Sequence, residues 1–508
     1  MYIGDYVGRR AIYSPDTLAI VDTGKTPELR LNYAELNERA NRLANSLRNF
    51  NINQGDRVAI LAQDGVEHLD LLFACGKLGA IHTALNWRLH WRELHQILAA
   101  VTPTVLIYDD AMKDSVALLA QAESTVQQWI HLDGIGIPGS RHFGDLLDAA
   151  SPIPCACDML DSESIAAIVF TGGTTGVSKG AQISHRQIAW NCLNTVIHDL
   201  GRGDIYLNVF PLFHVGGLFV YTLPQIILGG TTVLMKRFDA ERVLRLIESE
   251  RVTVFAAVPA MYQMLTQTPA WPTADLSSLR FCTSGGAPLP TPLIEQYTRE
   301  KGIHFKQGFG MTEFGPGLFA LAPEDAVRKA GSIGRPNFFI DARIVDSDNQ
   351  PLGPNQVGEL VLKGPSIASG YFSNDAAWAE VIDNEGWFHT GDLARYDEDW
   401  YFTIVDRLKD MFISGGENVY PAEIEAALYQ HPAVFQCAVI GVADDKWGEV
   451  GKAFVVLKPE VITSAEELLA HLGDRLARYK IPRHIEFVAS LPMSAAGKVL
   501  RRELRSAT

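Results

Sequence analysis

The chain has 508 residues, 47% hydrophobic and 20% charged, which is more than one hydrophobic core supports, so it divides into more than one domain. Lys plus Arg total 44 against 59 Asp plus Glu, a net charge of −15 that disfavours nucleic acid and anionic membranes. Any polyanion must therefore be held by a local site. Six cysteines without a CxxC pair make neither a disulfide framework nor a structural zinc site, and Cys155 and Cys157 read as free thiols of a reducing, cytoplasmic protein.

The opening "MYIGDYVGRRAIYS" lacks the basic and apolar regions of a signal peptide. Leu36, Ala40, Leu43 and Leu47 recur at helical spacing, with Asn32 placed to cap the helix and Glu35 to complete a capping box. Buried strands are expected at Arg57–Ala62, Thr104–Tyr108 and Val252–Val258. Strands alternating with helices predict parallel sheets covered on both faces. Another strand, Ile165–Phe170, runs into a glycine loop. Ser184 and Gln187 form a second capping box, and Ile188, Cys192 and Val196 face inward along the helix it starts. The loop is therefore expected between a strand and a helix, where α/β folds bind ligands. The apolar run Leu218–Leu228 is broken by Pro224 and is too short to span a bilayer. Near residue 340 short strands split by Gly, Pro and Asp turns predict a small antiparallel subdomain. Helices follow, one with Pro421 at its first position and one with the box Ser464/Glu467, so a compact α+β domain of about 100 residues closes the chain.

The glycine loop reads "TGGTTGVSKG", Thr171 to Gly180. The P-loop pattern needs glycine five residues after the first, and Gly172 and Gly173 lead there to Val177 and Ser178. It is not a P-loop, and it is not a dinucleotide fingerprint. Its glycines still let backbone N–H groups approach anionic oxygens, while Thr174, Thr175 and Lys179 add hydroxyls and charge.

Six further motifs follow in order: "PLFHVGG", "SGGAPL", "QGFGMTEFGPG", "GWFHTGDL", "DRLKDMFISGGENVYPAEIE" and "PMSAAGKVLRREL". Together with the loop they resemble the adenylate-forming superfamily, the acyl-CoA synthetase group above all, from about residue 30 onwards. The family loop usually reads S-G-T-T-G-x-P-K-G. Gly172 and Ser178 depart from it without removing a phosphate-binding group.

The resemblance implies an AMP-binding domain over residues 1–406, a hinge at 407–409 centred on Lys409, and a mobile C-terminal domain over 410–508. It implies a carboxylate attacking the α-phosphate of ATP, followed by displacement of AMP by coenzyme A. Thr171, Gly172, Gly173, Thr174, Thr175, Gly176 and Lys179 would hold phosphates. Thr312 would touch the α-phosphate, and Glu313, with Thr175, would hold Mg²⁺. Gly286, Ala287, Gln307, Gly308, Phe309, Gly310 and Met311 would surround the nucleotide base. Asp392 and Arg407 would hold the ribose. Lys498 would bridge the attacking carboxylate and the α-phosphate. Ser414, Gly415, Gly416 and Glu417 would line the path of the coenzyme A thiol. His214 would gate an acyl pocket built with Gly285, Gly310, Pro316 and Gly317, small residues that leave room for a chain or a ring.

No Arg or Lys stands among these acyl residues, which disfavours a dicarboxylic acid. The texture points first to a medium- or long-chain fatty acid, with an aromatic acid of the coumarate or ferulate kind as the alternative. A carrier-loading adenylation protein is a weaker reading, because no acidic residue in "VGGLFVYT" would hold an amino group. Glu313 and Lys498 together favour an enzyme over a nucleotide sensor. A homodimer is compatible with the sequence, and neither nucleic acid nor an integral membrane segment is expected.

Overall fold

A computed structural model describes residues 3–122, 124–171, 178–287, 289–444, 446–459, 461–493 and 499–506. Among the described residues the strands form four sheets.

The first is seven-stranded, ordered Arg141–His142, Gln128–His131, Val105–Tyr108, Arg57–Leu61, Ile81–Ala84, Ile165–Thr171, Lys179–Ser184. All neighbours are parallel except the last pair, which is antiparallel. Its central strands are mostly apolar and, apart from the partly exposed Arg57, buried, as a sheet covered on both faces requires. The helix Tyr33–Asn49 covers it, with both halves of the Asn32/Glu35 box made. Leu36, Ala40, Leu43 and Leu47 are buried as their spacing predicted.

The second sheet is nine-stranded and parallel through its centre, from Leu18–Asp22 to Phe305–Phe309, with antiparallel strands at both edges. The strands Val254–Ala257, Phe281–Gly285 and Phe305–Phe309 lie side by side, so their C-terminal ends deliver Gly285–Ala287 and Gly310–Glu313 to one rim.

The third sheet is the expected antiparallel subdomain: Asp341–Val345, Gly358–Lys363, Phe388–Tyr396 and Phe402–Arg407. Phe388 and Phe402 pack with Phe314 and Phe319 in one apolar cluster, fixing this sheet against the rim of the nine-stranded one. The fourth sheet belongs to the C-terminal region, where Val434–Asp444 and Gly448–Leu457 form a long hairpin beside Phe412–Ser414 and His484–Phe487. Pro421 begins its helix as expected. Ser464 caps the next through the amide of Glu467, but the Glu467 carboxylate accepts from Thr463 rather than closing the box.

A larger expectation also fails. The glycine loop is not a strand-to-helix turn. Lys179–Ser184 forms an extra strand that pairs antiparallel with Ile165–Thr171 from Thr171↔Lys179 to Ile165↔Ser184, so a strand, not a helix, follows the glycine segment. The helix His185–Val196 starts only after that strand. Ser184 still accepts from the Gln187 amide, but the Gln187 side chain turns away from the cap.

Candidate active site

Residues 172–177 and 494–498 lie outside the described residues. Gly172, Gly173, Thr174, Thr175, Gly176 and Lys498 are therefore placed only by their flanks. Thr171 and Lys179 close the loop, with the Thr171 hydroxyl donating to the Lys179 carbonyl at 3.3 Å. Met493 bridges Val499 across the second segment.

Lys179 and Glu313 come from different sheets, and one residue joins them. The Tyr371 hydroxyl donates to Glu313 Oε1 at 2.8 Å, while Lys179 Nζ stands 4.9 Å from the Tyr371 ring centre. Glu313 sits in a tight turn, Thr312–Phe314, between two more anchors. The Gln187 side-chain amide donates to the Thr312 carbonyl at 3.2 Å, and the Ala368 amide to the Glu313 carbonyl at 2.7 Å.

Asp392 and Arg407 are register partners on adjacent strands, with Arg407 Nε 2.8 Å from Asp392 Oδ1. Asp392 is only 2% exposed. Its backbone is held by the Thr390 hydroxyl, which accepts from the Asp392 amide and donates to the Leu360 carbonyl. Glu359 accepts from the amide of Gly391, whose φ of +68° places it in the left-handed region that glycine favours. Burial, then the nearby Arg407, lowers the Lys409 ammonium below its usual range.

Gln307 accepts from the Leu289 amide, and its buried Nε2 has no partner among the described residues. Gly285 and Gly308 face each other in register, and Phe309 stacks edge-to-face on Phe319. Met311 packs with Phe309 against the cluster under the antiparallel sheet.

Two of the glycines expected at the acyl pocket are closely approached by neighbouring atoms. A Cβ on Gly310 would lie 1.8 Å from the Pro316 carbonyl oxygen, so glycine there is forced by two backbones in contact. Gly317 donates its amide to Asn191 Oδ1, and a Cβ on it would meet that same oxygen at 3.2 Å. Asn191 in turn donates to the Phe219 carbonyl at 2.6 Å, in the turn Gly216–Val220 just after His214. His214 Nδ1 accepts from the Gly216 amide at 3.1 Å. Asn191 thus ties the histidine segment to the glycine segment. Gln187, Asn191 and Thr195 repeat at i, i+4 and are all buried. That polar stripe is visible in the sequence, but a reading that follows apolar spacing passes over it.

Ser414 and Glu417 flank a two-residue hairpin in which Gly415 (φ +61°) and Gly416 (φ +89°) both take left-handed backbone. Trp447 covers Gly415, and its carbonyl accepts the Gly415 amide.

Asp64 holds the histidine segment from the other side, accepting from the Leu212 amide at 2.7 Å. Burial pushes its carboxyl up to about 7, against the opposing pull of that amide and of Arg88. The unfolded value is about 4. Because the folded value is the higher, the group's stabilisation is complete below about pH 4 and is lost as pH rises through about 7. Asp64→Asn, which keeps an acceptor for Leu212, should flatten stability between those limits. Urea midpoints at about pH 5 and about pH 8 test this. An unchanged difference between them would contradict it.

Residues 8–372 match the AMP-binding enzyme family, and residues 423–498 match the AMP-binding enzyme C-terminal domain. The chain belongs to the AMP-binding enzyme family. It is 42% identical over 504 residues to a feruloyl-CoA synthase of an Amycolatopsis species, covering 99% of this chain and 98% of that protein. It is 36% identical over 509 residues to the long-chain-fatty-acid–CoA ligase FadD13 of Mycobacterium tuberculosis, with the same coverage of each. Its fold superposes on ATP-bound MatB from Rhodopseudomonas palustris with a TM-score of 0.91, at 31% identity over 99% of both chains. The protein is an AMP-forming acid–thiol ligase of the acyl-CoA synthetase group, using ATP and coenzyme A. Of these two ligases the aromatic-acid relative is the more similar, which backs the alternative reading better than the fatty-acid one. Among the described residues no helix is long and apolar enough to cross a membrane.

Proposed function

We propose that the acid is aromatic, of the hydroxycinnamate class. The observation that carries this is the 42% identity to a feruloyl-CoA synthase along nearly the whole of both chains. An oxygen of the acid attacks the α-phosphorus of ATP, and the bond to the β-phosphate breaks to release pyrophosphate. The coenzyme A thiol then attacks the acyl carbon, and the bond to AMP breaks.

Both reactants of the first step are anions, so the site works by offsetting charge. Lys179 and the loop before it hold the β- and γ-phosphates, and Thr312 meets the α-phosphate. Asp392 takes the ribose hydroxyls, as a carboxylate with two acceptor oxygens can, and Arg407 fixes its orientation. Lys498 bridges acid and α-phosphate.

Mg²⁺ suits the donor set. Among the described residues no group of three or more His, Cys, Asp or Glu could cage a metal ion. A single carboxylate, Glu313, is the pattern of a cation that keeps its waters and takes the rest of its ligands from phosphate. Bound there, Mg²⁺ would offset charge on the phosphate oxygens.

The test is kcat/KM for ferulate and coumarate against dodecanoate and palmitate, read as AMP release dependent on coenzyme A. At least about tenfold preference for the aromatic acids, or 1.4 kcal/mol of discrimination, is expected. Equal values or a preference for palmitate would return the fatty-acid reading.

A further inference from the structure

The segment 368–372 does more than connect two sheets. Its backbone adds to the outer edge of the hairpin strand Lys179–Ser184: the Phe372 amide donates to the Gly180 carbonyl at 2.7 Å, and the Gln182 amide to the Gly370 carbonyl at 2.9 Å. Between them Tyr371 bridges Ala181. The same segment reaches Glu313 through the Ala368 amide. Trp378 packs edge-to-face on the Tyr371 ring, with centroids 5.3 Å apart, and the tyrosine is 4% exposed. The ring has one place to be. From there it presents its face to the Lys179 ammonium and its hydroxyl to Glu313.

We propose that Tyr371 is a positioning residue that presets the metal ligand and the phosphate-binding lysine as one unit. This rests on the reading of Glu313 as the Mg²⁺ ligand. Free of Tyr371, the Glu313 carboxylate could rotate or swing to Lys179, and a salt bridge between them would withdraw both groups from the nucleotide. The hydroxyl occupies Oε1 and would leave Oε2 to hold the cation. The ring face holds the ammonium by cation–π attraction, which leaves its N–H donors for phosphate. An outer partner of this kind fixes ligand orientation, and its loss typically costs about ten- to hundredfold in metal affinity.

Calorimetric titration of ATP into the full-length protein, without acid, separates the parts because no turnover occurs. Tyr371→Phe keeps the ring and removes the hydroxyl. ATP affinity in EDTA should stay within about twofold, while the Mg²⁺ concentration at half-maximal enhancement rises about tenfold or more. The melting temperature and the acid KM should not move. Tyr371→Leu removes the ring as well, and ATP affinity in EDTA should then also fall. Glu313→Gln serves as the reference. If Glu313→Gln shifts the Mg²⁺ midpoint and Tyr371→Phe does not, the tyrosine has no positioning role and the proposal fails alone. If neither shifts it, the Glu313 reading fails and the proposal with it. If Tyr371→Phe lowers the melting temperature and weakens ATP equally with and without Mg²⁺, the residue is structural and the proposal is overturned.

Discussion

Lys498→Ala should slow pyrophosphate release by about 10²–10³-fold or more, the usual loss when one preorganised electrostatic contact to a developing charge is removed. Consumption of a supplied acyl-adenylate by coenzyme A should stay near normal, because no anion–anion encounter remains to be offset. Two single-turnover assays on the same variant decide it. Equal slowing of both would make the lysine structural. The bridge Met493↔Val499 flanks the lysine's segment, and Arg501, three residues on, places one nitrogen 2.7 and 2.8 Å from the two oxygens of the half-buried Glu425. Arg501 and Arg505 both reach Asp410. Lys409→Pro supplies the converse. Proline fixes φ near −65° and restricts the residue before it, so a stiffened connection should spare one half-reaction and impair the other.

Asp392→Ala should raise the ATP requirement by about one to two decades and leave the acid KM almost unchanged. A hydrogen bond to a charged group contributes about 1.5–3 kcal/mol, and the aspartate would make such bonds to the ribose. The variant also strips Arg407 of its 2.8 Å partner, though that side chain is 43% exposed and water can solvate it. Initial rates against ATP and against acid separate the roles. Proportionate losses for both substrates, with a lower melting temperature, would mean that Asp392 holds the sheet together rather than the nucleotide.

Features that depend on near neighbours were legible in the sequence. The Asn32/Glu35 box, the buried face from Leu36 to Leu47, Pro421 and the short strands after residue 340 all follow from local spacing and turn chemistry. The family resemblance supplied the other expected site residues, but two kinds of feature escaped it. The strand Lys179–Ser184 is brief and runs straight into a capped helix, so its pairing partner decides its state rather than its own residues. Tyr371 escaped because its partners are brought to it by sheet pairing, Glu313 alone lying 58 positions away. Gly310 shows a third limit. Its small size suggested space, whereas the fold uses it to bring two backbones together, and composition cannot distinguish these. The polar stripe Gln187, Asn191 and Thr195 was in plain view, but a buried amide at helical spacing acquires meaning only when the groups it bonds are known.

The hairpin has a consequence for exchange between relatives. Thr171 and Lys179 are a register pair, so both ends of the glycine segment are clamped by the ladder beneath it. The stem therefore sets the gap that any sequence between residues 171 and 179 must span. Gly172 and Ser178, the two departures from the commonest family pattern, both fall inside this span. Grafting the commoner S-G-T-T-G-x-P version onto the same stem should alter how tightly the terminal phosphates are gripped while leaving the choice of acid untouched.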